Sequence, residues 1–131
     1  MNRRLSPLAA ALAAALLAAC GGGGDAQLSD LQEAEAPADT GAHTRNGLYL
    51  SRRQADTLEQ AMPGRLVRVD VECCDAQAIE FAVASAEIEQ VTLSLPRSAP
   101  ILVSGANLRH AAIAADRLAE GGATRVFLVT D

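Results

Sequence analysis

Two short segments of this chain carry side chains that could do chemistry: the adjacent pair Cys73-Cys74 and the polar run from Ser104 to Arg109. Adjacent thiols can close a strained vicinal disulfide in an oxidising compartment, bind copper or zinc as soft ligands, or pack as small buried residues. A closed zinc site needs four ligands, and the sequence offers too few at metal-ligand spacing. The Cys-x-x-Cys spacing of redox motifs is also absent. All three interpretations of the pair therefore stay open, and no cofactor is predicted.

The polar run, residues 104–109, reads SGANLR. If a helix begins within it, the free N–H groups of the helix N-terminus would point into the turn, where Arg109 adds positive charge. The segment therefore predicts an anion pocket, with an ordinary strand-to-helix turn as the alternative. The pocket residues are Ser104, Gly105, Asn107 and Arg109. Nothing nearby activates the Ser104 hydroxyl as a nucleophile, and His110 has no acidic partner at a defined spacing, so no catalytic residue is predicted.

Alternating helices and strands must position these segments. Ser51 and Gln54 have the spacing of a capping box that starts a helix, and Pro63-Gly64 would end that helix. Three valines alternate with charged residues over 67–71, which is typical of a half-buried strand. Asp75 can cap a second helix.

Residues 91–95 suggest a further strand, because Val91, Leu93 and Leu95 alternate with polar residues, although this signal is weak.

The last third of the chain, from residue 101 on, has the clearest pattern. Residues 101–103 form a continuous apolar run, which is typical of a strand covered on both faces. One apolar helical face over 108–119 and a final apolar run over 126–129 follow. Strand, helix and strand with short joins form a βαβ unit. The sequence therefore predicts an α/β fold with a small, mainly parallel sheet and helices on its faces.

The two polar segments are expected at the same edge of that sheet. Cys73 and Cys74 follow the strand over 67–71, and Ser104 follows the strand over 101–103. If these strands are parallel neighbours, both segments lie at the carboxyl ends of the strands, where open α/β folds place their sites. Any small-molecule site is therefore predicted there.

Residues 101–131 resemble the C-terminal half of a rhodanese-like domain. In that family a strand ends at a catalytic cysteine, a loop of four residues follows, and an arginine opens the helix; Ser104 and Arg109 occupy these positions here. Upstream, Asp70 resembles the aspartate of the family's first core strand, which an arginine follows two positions later, where this chain has Glu72. The resemblance implies a rhodanese-like α/β fold.

Three departures from the family pattern bear on activity. Ser104 stands where the sulfur-carrying cysteine belongs, and a hydroxyl cannot form a persulfide. The middle segment lacks the Gly-His-Ile…Gly-Ala pattern, and Asp131 follows a strand without the closing Gly-Gly and helix. The resemblance therefore implies a domain that has lost its sulfurtransferase chemistry.

The N-terminus resembles the signal of a bacterial lipoprotein. Arg3 and Arg4 precede an apolar run that is too short to span the ~30 Å hydrocarbon layer of a membrane. The sequence Leu17-Ala18-Ala19-Cys20 is similar to a lipobox, in which the cysteine is lipidated after cleavage. The resemblance implies a signal peptide over residues 1–19 and a lipid anchor on Cys20. Because Gly21 follows instead of aspartate, it also implies an outer-membrane location facing the periplasm.

Composition sets the remaining boundaries. A stretch rich in Gly, Ala, Asp and Glu predicts a flexible tether over residues 20–46, which leaves the α/β domain over residues 47–131. The formal net charge is −5 at pH 7, and removal of the leader, which carries two arginines and no acidic residue, leaves −7. With no basic run, this charge excludes nucleic acid as a partner. The predicted partners are the membrane, reached through the lipid, and an envelope protein.

Three functions are compatible with these features. The first is an envelope lipoprotein that carries a non-catalytic rhodanese-like binding or scaffold module. The second is a thiol-, sulfur- or metal-handling protein that uses Cys73 and Cys74. The third is a subunit of a larger envelope assembly, which the small core and the end of the chain just after a strand both suggest. A count of free thiols under native conditions would separate the first two functions.

Overall fold

The computed structural model describes residues 33–131 except Cys74. The predicted signal peptide over residues 1–19, the predicted lipidated Cys20 and the first part of the predicted tether lie outside the described residues. The described chain forms a compact unit that begins at Glu33.

Four parallel strands form one sheet in this unit, and three α-helices connect them. In chain order the elements are β1 (Leu48–Leu50), α1 (Arg52–Ala61), β2 (Val67–Val71), α2 (Ala76–Thr92), β3 (Ile101–Gly105), α3 (Leu108–Glu120) and β4 (Val126–Val129). The strand order across the sheet is β1-β4-β3-β2, and each neighbouring pair is parallel. The predicted α/β fold with a small parallel sheet is confirmed, and the arrangement is consistent with a rhodanese-like small α/β fold.

The sheet carries a buried layer on each of its two faces. Val71 and Val103 join the alanine-rich faces of α2 and α3 in one buried cluster. Leu102 is buried without belonging to that cluster, because side chains alternate along a strand. Arg68 alternates with the valines in the same way, and it pairs with Asp56 of α1 at 2.7 Å. Helix α1 therefore covers the face opposite to α2 and α3.

Two helices begin at the caps that the sequence predicts. The Ser51 side chain accepts a hydrogen bond from the Gln54 N–H, and the Gln54 side chain accepts one from the Ser51 N–H, so the capping box before α1 is confirmed. The Asp75 carboxylate accepts from the Ala78 N–H at the start of α2. Gly64 adopts a positive φ of 73° in the turn after α1, a conformation that glycine reaches without steric cost.

The predicted strand over residues 91–95 is wrong, because α2 extends through Thr92. The preceding sequence, AEIEQ, contains good helix formers and no helix-breaking residue, so the helix continues past the point where the alternation begins. The helix ends before Ser94, which has a positive φ of 55°, and Pro96 follows in the turn. Local helix propensity therefore prevails over a short alternating pattern.

The predicted boundary between tether and domain, at residues 46 and 47, is also wrong. Residues 33–46 belong to the compact unit. Ala42, in a short 3-10 turn over Thr40–Ala42, is fully buried in the cluster under α3. The Ala34 N–H donates to the Tyr49 carbonyl at 2.9 Å, which joins the segment to β1. A composition typical of disorder is outweighed here by one buried side chain and several specific hydrogen bonds.

Candidate functional site

The carboxyl ends of β2 and β3 lie side by side, as the sequence predicts. Asp70 is in register with Ser104, and Val71 is in register with Gly105. Cys73 is separated from the end of β2 by one residue, so it lies at the same edge. The predicted convergence of the two polar segments is therefore confirmed for the residues that the structure describes.

Ser104 is a buried strand residue whose hydroxyl already has a partner. Its Oγ donates to Asp70 Oδ1 at 2.9 Å and lies 3.5 Å from the Val69 carbonyl oxygen. Ser104 is only 9% exposed. The adjacent carboxylate engages the hydroxyl proton and repels an approaching anion. Within the described residues no imidazole hydrogen-bonds to Ser104, so the serine–histidine pair of a typical serine nucleophile is not formed there.

The Arg109 guanidinium is bound to Asp39 instead of facing the turn. Arg109 Nε donates to Asp39 Oδ2 at 2.7 Å, and Nη2 donates to Oδ1 at 2.9 Å, which is the two-pronged geometry of a strong ion pair. The hydrogen bond from Arg109 is the main cause that lowers the pKa of Asp39, and the same bond raises the pKa of Arg109. The positive charge on which the predicted anion pocket depends is therefore neutralised within the chain.

The turn between β3 and α3 is shorter than the rhodanese resemblance implies. β3 continues through Gly105 and α3 begins at Leu108, so only Ala106 and Asn107 connect them, and the expected loop of four residues is not formed. A Cβ atom built on Gly105 would lie 3.0 Å from the Val71 carbonyl oxygen. A side chain at this position would crowd the neighbouring strand, which favours glycine. The same edge opens into a depression of about 310 Å³ whose lining includes Ser104, Gly105 and Asp131.

The N-terminus of α3 is capped by its own chain. Asn107 Oδ1 accepts from the N–H groups of Arg109 at 3.0 Å and His110 at 3.2 Å. Two of the donors that would have held an anion are thereby satisfied. With Arg109 paired and Ser104 facing a carboxylate, these contacts count against the anion pocket of Ser104, Gly105, Asn107 and Arg109, which stays a prediction. They favour the alternative, an ordinary strand-to-helix turn.

Cys73 is exposed and disulfide-bonded, while Cys74 lies outside the described residues. The exposure of Cys73 contradicts the interpretation of this residue as a small buried core residue. It lines a depression of about 390 Å³ together with the acidic residues Asp70, Glu72 and Asp75. Nearby carboxylates disfavour the thiolate form of a cysteine, so the surroundings work against a reactive nucleophile at this position.

The described residues offer no cluster for a metal ion. Across residues 33–131, with Cys74 left aside, no three or more His, Cys, Asp and Glu side chains are placed to bind one together. None of the helices in this part of the chain has the length and apolarity needed to cross a membrane.

No family model, curated protein or solved structure matches this chain. The likeness to rhodanese-like domains therefore stands at the level of the fold, where it rests on the order of strands and helices in this chain. Function has to be argued from the site itself.

Two acidic residues pair with the predicted site residues but are not predicted as their partners from the sequence. Asp39 belongs to the segment predicted as tether, where Asp-Thr-Gly is a sequence typical of turns and could have indicated local order. Asp70 is predicted as a polar strand position and as the counterpart of an aspartate in the rhodanese-like pattern, but not as a partner of Ser104. Its contact with Ser104 depends on the register between β2 and β3, and no local sequence signal gives that register.

Proposed function

We propose that this chain is a lipid-anchored lipoprotein of the bacterial envelope whose α/β domain is a non-catalytic binding or scaffold module. The observation that carries the non-catalytic half is the hydrogen bond between Ser104 and Asp70, at the position where a rhodanese-like enzyme holds its thiolate. A hydroxyl cannot take up sulfur as a persulfide, and its carboxylate neighbour repels anionic sulfur donors. Binding to an envelope partner therefore remains as the role of the domain.

The anchor half of the proposal rests on the sequence around Cys20. A positively charged start, a short apolar run and the residues LAAC occur in the order that lipoprotein processing requires. Each buried CH₂ group of an acyl chain contributes about 0.8 kcal/mol, so two or three chains on one cysteine hold a domain firmly at the bilayer. The outer membrane, on its periplasmic side, is the location that we propose.

Replacing the lipidated cysteine tests the anchor. The Cys20→Ser variant of the full chain should incorporate no labelled palmitate and should leave the membrane fraction of the host cells. Cys73→Ser is the matched control, because it removes another cysteine from the same chain and should stay with the membranes. A Cys20→Ser chain that is labelled and retained like the parent would overturn the anchor.

An assay of sulfur transfer tests the non-catalytic half. The full chain should transfer no sulfur from thiosulfate to cyanide, because Ser104 cannot carry it. The Ser104→Cys variant should also stay inactive, since the Asp70 carboxylate would face the new thiol and the four-residue loop is not formed. Turnover by the parent chain that survives Cys73→Ser would contradict the proposal.

A second candidate function, thiol or redox handling, is favoured by one observation. Cys73 is exposed and disulfide-bonded at the carboxyl edge of the sheet, where a partner thiol could reach it. The acidic side chains around its depression count against this candidate, because they disfavour the thiolate that exchange reactions require.

Counting thiols separates the two candidates. The native chain should react slowly with a thiol-alkylating reagent, both before and after treatment with a mild reductant such as reduced glutathione. The same chain unfolded in guanidinium with strong reductant gives the total count. Rapid opening of the Cys73 disulfide by glutathione would favour redox handling, and so would a rhodanese turnover that Cys73→Ser abolishes.

A further inference from the structure

Helix α2 is apolar on two opposite sides. At 100° per residue, Ile79, Ala82, Val83 and Ala86 fall on one side, and all four are buried against the sheet and α3. The opposite side carries an outer stripe that consists of Phe81, Ala84, Ile88 and Val91. Phe81 is 76% exposed, Ile88 66% and Val91 78%. A helix that packs on one side only has no need for this second stripe, so its composition calls for a partner.

The spacing within the outer stripe is that of a helix pair. Phe81 and Ile88 are seven residues apart, as are Ala84 and Val91, so the stripe follows the three-, four- and three-residue steps that form a coiled-coil seam. The four residues lie within an arc of about 80° around the helix axis. Ala84, the smallest of them, lies between Phe81 and Ile88, where it would let a second helix approach.

We propose that the outer stripe of α2 binds the same stripe of a second copy of this chain, with the two helices parallel and in register. In this arrangement Phe81, Ala84, Ile88 and Val91 each face their own counterpart across a two-fold axis. The contact runs along the outer side of α2, and Phe81 at its start also lines the depression beside Cys73. It goes beyond the proposed binding role because it names the partner.

The charges beside the stripe select the parallel arrangement. Glu80 and Glu87 flank the stripe on one side, whereas Ser85 and Thr92 flank it on the other. Parallel pairing sets each acidic flank against the uncharged flank of the partner, where a hydroxyl can donate to the Glu87 carboxylate. Antiparallel pairing would set acidic flank against acidic flank.

The two acidic residues that flank the stripe differ in their ion pairs. Glu80 pairs with Arg117 of α3, whereas Glu87 has no ion pair among the described residues. An antiparallel contact would bring two such unpaired Glu87 carboxylates together near the two-fold axis, which costs free energy as the helices lose their water. Parallel pairing avoids that cost.

The size of the seam indicates a weak dimer. Residues 81–91 span about 15 Å of helix, so the stripe alone buries less than the roughly 800 Å² per partner of a typical stable interface. Here the inference rests on the proposed function, because a lipid anchor confines the copies to one surface and raises their effective concentration. Two anchored copies also share the direction of the membrane normal, which suits a parallel pair.

Disulfide trapping in the cell envelope tests the pairing with the full chain. A cysteine at Ala84 should form an intermolecular disulfide across the seam after mild oxidation, seen as a dimer on a non-reducing gel. Glu89→Cys is the matched control, because it places an exposed cysteine on the same helix outside the stripe. We expect roughly tenfold more dimer from Ala84→Cys, since a disulfide needs Cβ atoms within about 4.5 Å. The parent chain without an added cysteine sets the background.

A second substitution shows whether the stripe itself holds the dimer. Adding Ile88→Asp to Ala84→Cys should reduce the trapped dimer to the level of the Glu89→Cys control, while the circular dichroism spectrum stays that of the parent. Equal trapping at positions 84 and 89, or trapping that survives Ile88→Asp, would overturn the proposal. Preferential trapping between an Ala84→Cys chain and an Ile88→Cys chain would show antiparallel pairing and overturn the parallel arrangement.

Fractionation of Cys20→Ser separates this proposal from the one on the anchor. If Cys20→Ser leaves the membrane while Ala84→Cys gives no excess of dimer, the anchor stands and the dimer fails. If Cys20→Ser stays with the membrane while Ala84→Cys still traps a dimer, the anchor fails and the dimer stands.

Discussion

The carboxyl edge of the sheet and the outer stripe of α2 differ in two ways. The edge is polar and the stripe is apolar, and the polar groups of the edge have partners whereas the apolar side chains of the stripe have none within the described chain. At the edge, the polar groups of the turn after β3 have partners within the chain: Ser104 has Asp70, the Arg109 guanidinium has Asp39, and the N–H groups of Arg109 and His110 have Asn107. On α2, three large apolar side chains are mostly exposed, and α2 carries acidic residues but no basic ones. The region whose residue types suggest a ligand is therefore the one in which the polar groups are already paired.

The difference shows that residue type alone is a poor guide to function in a small domain. A serine, an arginine and a helix N-terminus suggest a site only while their partners are unknown, because the same groups also hold a fold together. Exposed apolar surface is different, since the chain gains nothing by presenting it to water. In this domain, exposed apolar surface is therefore a better indicator of a binding partner than polar residue types are.

The largest expected effect compares the two sides of α2. Ile79→Ala removes a side chain buried under the sheet and should lower the free energy of unfolding by about 2–4 kcal/mol. Ile88→Ala, the same change on the outer stripe, should change it by less than about 0.5 kcal/mol. Urea unfolding followed by circular dichroism at low protein concentration measures both. Equal losses would mean that the outer stripe is buried within a single copy.

The next effect concerns the close approach of strands at the edge. Gly105→Val places methyl groups where a Cβ alone lies 3.0 Å from the Val71 carbonyl, so it should destabilise the domain by about 1–3 kcal/mol. Ala106→Val, one residue further along in the exposed turn, is the matched control and should be nearly neutral. A neutral Gly105→Val would show that β2 and β3 can move apart at this position without loss of stability.

A smaller effect is expected from the hydrogen bond at the centre of the edge. Ser104→Ala should cost about 1 kcal/mol, because it removes one hydrogen bond while the exposed Asp70 keeps its access to water. Asp70→Asn retains an acceptor oxygen and should cost less, and Ser98→Ala in an exposed turn serves as the surface control. A Ser104→Ala chain as stable as the parent would mean that this hydroxyl contributes nothing to the fold.

The smallest effect is the pH dependence of the Asp39–Arg109 pair. Because the folded state lowers the pKa of Asp39 below its ordinary value of 3.8, the pair stabilises the fold fully above that value. The contribution is lost as the pH falls from 3.8 through the lower pKa of the folded state. The melting temperature of Asp39→Asn should therefore lie below that of the parent at pH 7 and converge with it in acid. Glu87→Gln, which alters a carboxylate without an ion pair among the described residues, should show no such convergence, and parallel behaviour of the two variants would contradict the assignment.

Sequence reasoning succeeds where the signal is local and fails where a distant contact decides. The capping box before α1, the Asp75 cap, the apolar runs over 101–103 and 126–129 and the parallel βαβ order follow from short patterns, and the structure confirms them. The partners of Ser104 and Arg109 depend on strand register and on a segment 70 residues away, which no local pattern encodes. The outer stripe of α2 has the right spacing in the sequence, but its exposure becomes visible only when the buried side of the helix is known.

The position of β1 at the end of the sheet has a consequence for how the chain folds. β1 pairs only with β4 among the described strands, so Leu50 meets Thr130 across 80 residues of chain. The first strand of the described chain therefore has no other strand to pair with until the last strand has been made. Long-range closure of this kind is slow and occurs late in folding. In a chain exported as we propose, the delay would keep the nascent protein unfolded long enough to be threaded through a membrane, and folding would be completed on the far side.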